Sequence, residues 1–342
     1  MRRALYLAPV APERLEHAAI GRAYGALLCS VGYETRSSAI AKSLQPSVDS
    51  IAGVEFHRGH NAIYKRNRQH MDAIGADVRR LDDESFCAWV TGWLSDLAKA
   101  GQDLVAVDVS SMSRPRIAGV VQAIMTLPDD ARITVDLLYT PARYKPAPQE
   151  VPDATEALDP VLPEFAGAPA DPEQPLVLVF GLGYEPERAA SAVDEFAPQV
   201  ALPFFPIGSD SRFEIAVQHA NQSVLALPDV KAPHRYAISD PFRTFCDLEV
   251  LVQMIQAGHL ADTAGRPARP LLLPLGPKIF AATCMLVAAS ASTPVPVWRV
   301  SSGIFGSDDD RESSGELVTL RVSTAPISLD PPQAPALEVL AG

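Results

Sequence analysis

Short, unbroken apolar runs alternate with amphipathic stretches along most of this chain. GALLCSV (25–31), LVAVDV (104–109) and LVLVF (176–180) are apolar at successive positions, the pattern of strands covered on both faces of a sheet. After LVAVDV, residues Ile117, Val120, Val121, Ile124 and Met125 recur at the spacing of one helix face. SSAIAKSL (37–44) predicts a first helix. A strand around 51–57 precedes a basic helix carrying Asn61, Lys65, Arg66 and Arg68. A short strand near 77–81 leads to a helix opening on Asp82-Asp83-Glu84, where acidic side chains suit the positive end of the helix dipole. ITVDLLY (133–139) closes this series. Strands alternating with helices of this length pair in parallel through right-handed crossovers. The predicted class is α/β, with Rossmann-like, doubly wound parallel sheets.

The series repeats. ALLCSVGYETR (26–36) and LVLVFGLGYEPER (176–188) both run from an apolar strand through Gly-Tyr-Glu into a helix start, with Gly32 and Gly183 lying 151 residues apart. Phe86-Cys87 is echoed by Phe245-Cys246 at 159, and Pro115-Arg116-Ile117 by Pro277-Lys278-Ile279 at 162. The last strands, ITVDLLY and VPVWRVS, keep that offset. Offsets that only grow are what an internal duplication with loop insertions leaves. The expected organisation is a lead-in at 1–23 with a helix around 13–20, a first unit at 24–144, a linker at 145–175, a second unit at 176–305, and a C-terminal strand and tail at 306–342. Residues 145–175 hold eight prolines and seven acidic residues against one lysine, a composition that reads as an extended linker. A chain of 342 residues suffices for two units, each with its own core.

Composition narrows the function. The net charge of -12 opposes bulk nucleic-acid binding, which needs a basic face, although a local basic pocket fits within it. No apolar run has the length of a membrane-spanning helix and no signal-peptide core develops, so the cytoplasm is expected. Cys29, Cys87, Cys246 and Cys284 are scattered without a CxxC pair, and His57 and His60 lack the spacing of a zinc motif. Buried free thiols are expected, and neither a metal nor a cofactor is implied.

In open parallel sheets ligands bind beyond the carboxyl ends of the strands. That rim carries Gly32, Tyr33 and Glu34, the loop from Asp108 through Ser110, Ser111, Ser113 and Arg114, then Gly183, Tyr184 and Glu185, then Gly276 and Lys278, and finally Ser301 and Ser302. The glycines permit tight turns and close approach to an anion, but neither copy completes GxGxxG, since Pro186 stands at the third glycine. Glu34, Glu185 and Asp108 are candidate acids, bases or nucleophiles; each glutamate equally suits a helix start through its dipole. The serines suit a phosphate or ribose cradle with Arg114 as a clamp, or cap a helix. Lys278, and Arg116 at the matching place, put a cation where the dipole disfavours one, which indicates a nearby anion unless the lysine reaches to solvent. Tyr144, after the last strand of the first unit, either stacks on a base or anchors the linker.

The strand-end polar turn, together with LGPKIF (275–280) as a small-residue loop bearing a lysine at a late helix start, resembles the CARF ligand-sensing domains, whose late loop reads GGTK. Here proline stands where that pattern has threonine. Two such units in one chain are similar to the SAVED domains, which bind cyclic oligonucleotides in bacterial antiviral signalling. The GYExR and DVSSMSR turns also resemble those of uncharacterised proteins of bacterial defence loci. The resemblance implies a nucleotide-derived, phosphate-bearing small molecule as ligand and a protein partner through which the chain acts. Two other readings stay open: a nucleoside or nucleotide hydrolase or transferase using Glu34, Glu185 or Asp108, and a structural subunit of a larger complex.

Overall fold

The computed structural model describes residues 3–56, 61–146, 157–168, 171, 173–301 and 310–327. Strands β1 (Tyr6–Pro9) and β2 (Glu13–Arg14) precede β3 (Ala26–Val31). Then follow α1 (Ala39–Leu44), β4 (Ile51–Glu55), α2 (Ala62–Ala73), β5 (Asp77–Arg80), α3 (Asp83–Lys99) and β6 (Leu104–Asp108). Helix α4 (Arg114–Thr126) and β7 (Thr134–Tyr139) come next, then β8 (Ala157–Pro160) and β9 (Leu176–Gly181). The chain continues through α5 (Pro186–Phe196), β10 (Val200–Ile207), α6 (Ser211–Ala220), α7 (Gln222–Leu225), β11 (His234–Ala237) and α8 (Pro241–Gln256). It ends with β12 (Arg269–Leu273), α9 (Lys278–Ser290), β13 (Trp298–Ser301) and β14 (Glu316–Ser323).

The fold is α/β and broadly Rossmann-like. In the larger sheet the order is β1-β14-β7-β6-β3-β4-β5, with β2 also on β14. Strands β7 to β5 along this path are parallel, while β14 adds antiparallel to β7 and β1 adds antiparallel to β14. The sheet is therefore mixed, a correction to the all-parallel expectation. The second sheet, β11-β10-β9-β12, is parallel throughout, and Val297 extends it by a parallel bridge to Leu272.

Three sequence expectations need correcting. The lead-in contains β1, β2 and only a single 3-10 turn at Leu15–His17 where a helix was expected, because β14 offers both short strands a partner. The linker is structured in part. Its β8 pairs antiparallel with β13, and its 3-10 turn at Pro163–Phe165 accepts the Val297 N–H at the Phe165 carbonyl. The units also lack separate cores. One cluster joins Leu28, Val107 and Leu137 of the larger sheet to Val177, Val179 and Leu272 of the smaller, through Phe86 and Ile117 on one side and Phe245, Phe280 and Met285 on the other. Helices α3, α4, α8 and α9 thus form the middle of the molecule, and separate clusters cover the outer face of each sheet. Among the described residues no helix is long and apolar enough to cross a membrane. Cys29 and Cys284 are buried, Cys87 and Cys246 partly so, and all four are free thiols.

Candidate functional site

In the first turn, β3 ends at Val31 and Glu34 folds back onto its own neighbours. Its carboxylate accepts Arg36 Nε at 2.6 Å and the Ser111 hydroxyl at 3.3 Å. Arg36 is buried, donates to the Thr140 carbonyl at 3.4 Å and lies 6.0 Å from the Tyr139 ring centroid. Burial works against its charge, but Glu34 and Tyr139 together outweigh that and raise its pKa. Buried Asn67 of α2 pins this turn. Its amide nitrogen reaches the Gly32 and Glu34 carbonyls at 3.0 and 2.9 Å and the Ser37 hydroxyl at 2.9 Å, while its oxygen accepts from Ser38 at 2.9 Å.

The second turn uses the same devices. Glu185 pairs with Arg188 at 2.8 Å, and buried Asn221 donates to the Gly183 carbonyl at 2.8 Å. Tyr33 packs on Phe56 at 5.7 Å, and Tyr184 edge-on to Phe213 at 5.6 Å. Burial pushes the Tyr184 hydroxyl up to about 12, so it stays neutral.

The Asp108–Ser113 loop spends most of its polar groups on itself. Asp108 accepts the Ser110 N–H at 2.9 Å, the Ser110 hydroxyl accepts the Thr140 N–H at 2.9 Å, and Ser113 caps α4 at the Arg116 N–H while donating to Asp83. Of the three serines only Ser111, through Glu34, stands on the rim. Asp108 is fully enclosed, and burial pushes its carboxyl up to about 6, with Glu34 adding to the rise and Ser110 and Arg36 opposing it. A folded pKa above the unfolded one means that the native state holds the proton more tightly. This contribution to stability is therefore present at low pH and falls as pH rises from about 4 to 6, levelling off above. Asp108→Asn keeps an acceptor for Ser110 and removes the buried charge. It is expected to gain about 1–3 kcal/mol at pH 8 and almost nothing at pH 4, read from urea denaturation at the two pH values. Equal stability differences at both pH values would contradict this.

Arg116 and Lys278, matched in the sequence, have different environments. Arg116 is 1% exposed. It donates to Asp83 at 3.0 Å and to the Leu81 and Glu55 carbonyls at 2.6 and 3.2 Å, and it lies 4.0 Å from the Phe56 ring centroid. It braces the first unit from inside. Lys278 is the first residue of α9, a helix without a side-chain N-cap, and its amine makes no hydrogen bond or ion pair with any described residue. Burial and the Arg114 guanidinium push that amine down to about 7, with Arg36 adding to the fall and Glu185 and Glu34 pulling it back up.

Residues of both turns therefore act on one amine. One contact crosses between the two rims, and two close approaches hold the β9 and β12 loops of the second rim together. Arg114 Nε donates across to the Pro274 carbonyl at 2.6 Å. Gly276 has φ of +73°, and a Cβ there would fall 2.2 Å from the Leu182 carbonyl oxygen. A Cβ on Gly183 would meet the Gly276 Cα at 2.9 Å. Burial lowers the Arg114 pKa, with Arg188 and Arg299 adding to the fall and Glu185 opposing it.

The structure thus brings Glu34, Ser111, Arg114, Glu185, Gly183, Gly276 and Lys278 near one another beyond the carboxyl ends of β3, β6, β9 and β12. Ser110, Ser113 and Asp108 stand behind them. Ser301 lies within β13 and donates to the Ala157 carbonyl at 3.4 Å. Ser302, His57 and His60 lie outside the described residues. Tyr144 anchors the start of the linker, with the Arg212 guanidinium 4.8 Å from its ring centroid. In the basic helix, Arg68 is held by Asp72 and Glu55.

Sequence reasoning missed five residues. Arg36 and Arg188 were readable in the repeated turns. Asn67 and Asn221 lie 154 residues apart, between the offsets already noted, and could have been found by aligning the repeats. Arg299 carries no local signal. Among the described residues there is no cluster of metal-ligating side chains.

No protein-family model matches the chain, and no curated protein matches it. Among solved structures, it is similar to the YcgJ protein of Bacillus subtilis at 16% identity and a TM-score of 0.21, over 37% of this chain and 49% of that one. It is also similar to a universal stress protein from Archaeoglobus fulgidus at 11% identity and a TM-score of 0.24, over 81% of this chain and 96% of that one.

Proposed function

We propose that this chain binds a nucleotide-type, phosphate-bearing small molecule in the cleft between two duplicated Rossmann-like units. In this reading it serves as the sensing or ligand-binding subunit of a bacterial antiviral defence system, located in the cytoplasm and acting through a partner protein. The observation that carries the proposal is the amine of Lys278, which has no hydrogen bond or ion pair among the described residues and lies under the influence of Glu34, Arg36, Arg114 and Glu185 from both rims. Each glutamate already has its own arginine, so neither is spent on Lys278, whose amine suits an anionic ligand. The duplication is supported by the strand orders. β5-β4-β3-β6-β7 in one sheet and β11-β10-β9-β12 followed by Val297 in the other run through the chain in the same sequence. The antiviral role rests on the CARF and SAVED resemblance alone. The hydrolase or transferase reading draws less support, because Glu34 and Glu185 are ion-paired and Asp108 is enclosed.

The test is a thermal-shift screen against mono-, di- and cyclic oligonucleotides, with chromatography of each sample after incubation. A ligand that raises the melting temperature and is recovered intact is the expected result. Arg114→Ala with Lys278→Ala is expected to weaken its binding about 100-fold or more, since each charged hydrogen bond contributes about 1.5–3 kcal/mol. Consumption of the ligand would replace this reading with the enzymatic one, and unchanged binding in the folded double variant would remove the cleft from the account.

A further inference from the structure

Residues 310–314, just ahead of β14, lie across the ends of three strands. Beyond β3, the Asp310 carboxylate accepts the Thr35 N–H and the Thr35 hydroxyl, both at 2.7 Å. The Arg311 carbonyl accepts the Arg36 N–H there at 3.0 Å. Beyond β7, the Ser313 and Thr140 hydroxyls share a hydrogen bond of 2.6 Å. The Ser314 N–H donates to the Pro141 carbonyl at 2.9 Å, and the Glu312 carbonyl accepts the Arg143 N–H at 2.8 Å. Lys145 donates to the Asp310 carbonyl, which keeps a cation beside this place. Beyond β9, the Arg311 guanidinium stands 6.0 Å from the Tyr184 ring centroid. Thr35 follows Glu34 directly and Tyr184 precedes Glu185, so this short strap touches both Gly-Tyr-Glu turns. None of its five residues is apolar and none is buried. Polar contacts alone fasten it, so it can detach while the core stays closed.

We propose that residues 310–314 are an autoinhibitory strap, in which Asp310 takes the place on Thr35 that an anionic group of the ligand must take, so that ligand binding unseats the strap. This deepens the ligand-binding reading above and rests on it. An N–H and a hydroxyl that hold a carboxylate hold a phosphate oxygen by the same charge-assisted bonds. Two anions cannot share those two donors. The neighbouring carboxylate, Glu34, is already matched by Arg36 at 2.6 Å. The repeated turn provides an internal comparison. Pro186 lies 151 residues beyond Thr35, the offset of the two Gly-Tyr-Glu turns, and it has neither an N–H nor a hydroxyl to offer. Asp310 therefore sits on the one turn of the two whose matching residue can donate to an anion. A closed strap lowers the apparent affinity in proportion to the fraction of chains in which Thr35 is open. By linkage, a bound anion shifts the strap toward release to the same extent.

The experiment uses the full chain and three probes: inorganic phosphate, adenosine 5′-monophosphate and cyclic di-adenosine monophosphate. Isothermal titration gives affinity, and tryptic cleavage after Arg311, read by mass spectrometry, gives the state of the strap. Asp310→Ala is expected to bind the tightest probe about 10-fold more tightly than wild type. The same probe is expected to speed cleavage after Arg311 in the wild-type chain. Thr35→Val in the Asp310→Ala background is expected to remove the gain. Glu312→Gln takes the same charge from the same strap and is expected to leave affinity unchanged, since its side chain pairs with exposed Arg143 at 3.2 Å. Binding seen in Asp310→Ala and not in wild type upholds the strap. Equal affinity in wild type and Asp310→Ala, an equal gain in Glu312→Gln, or a gain that survives Thr35→Val overturns the strap while the ligand-binding reading stands. Protection of Arg311 by the probe also overturns it, since the strap would then close over the ligand. Failure of all three probes in both wild type and Asp310→Ala overturns both.

Discussion

Gly276→Ala is expected to lower stability by at least about 3 kcal/mol and to abolish ligand binding in whatever fraction remains folded. An L residue at the φ of +73° found here costs about 1–2 kcal/mol from its own Cβ alone. The larger contribution is collision, because that Cβ falls 2.2 Å from the Leu182 carbonyl oxygen and both partners are backbone. Neither can rotate away, so the β9 and β12 loops must separate. Those loops carry Glu185 and Lys278, and the Arg114 bond to Pro274 crosses beside them. Guanidinium denaturation gives the stability change, and titration of the folded variant gives the binding. A variant of wild-type stability would mean that the close approach of the two loops is not required.

Asn67→Ala is expected to cost about 3 kcal/mol. The side chain serves two turn carbonyls and two hydroxyls from inside the fold, and deleting it leaves buried acceptors unsatisfied at about 1–3 kcal/mol each, with some relaxation. Asn67→Asp, which keeps the acceptor and loses the donors, is expected to be no better. Asn221→Ala is expected to cost less, because Asn221 serves Gly183 but otherwise only the Val217 carbonyl of its own helix. Urea midpoints for the three variants rank these effects. A smaller loss for Asn67→Ala than for Asn221→Ala would show that the two turns are not held as described.

Both predictions concern residues whose role depends on what lies across the fold, and this is where the sequence ceased to be sufficient. Its apolar runs became β3, β6 and β9, and the helix face beginning at Ile117 became the buried face of α4. These readings needed only local periodicity, which acts over a few residues and is written in neighbouring positions. The rim loops were placed by the same logic, since parallel strands joined by helices deliver their following turns to one edge. Where the pattern was short or polar, distant partners decided. The lead-in became strand because β14 was there to pair with it, and part of the proline-rich segment became strand because β13 was.

By itself, then, the sequence determined an α/β chain of alternating strands and helices and the edge at which polar residues collect. The tertiary structure alone decided that α4 and α9 meet within one core, so that the two rims face each other. It also decided which cations are already matched. Arg116 and Lys278 look alike in the sequence, yet one is spent on Asp83 and two carbonyls while the other has no polar partner among the described residues. The reason is physical: secondary structure follows from short-range patterning, whereas a charge is satisfied or left open by distances between atoms that the chain brings together only on folding.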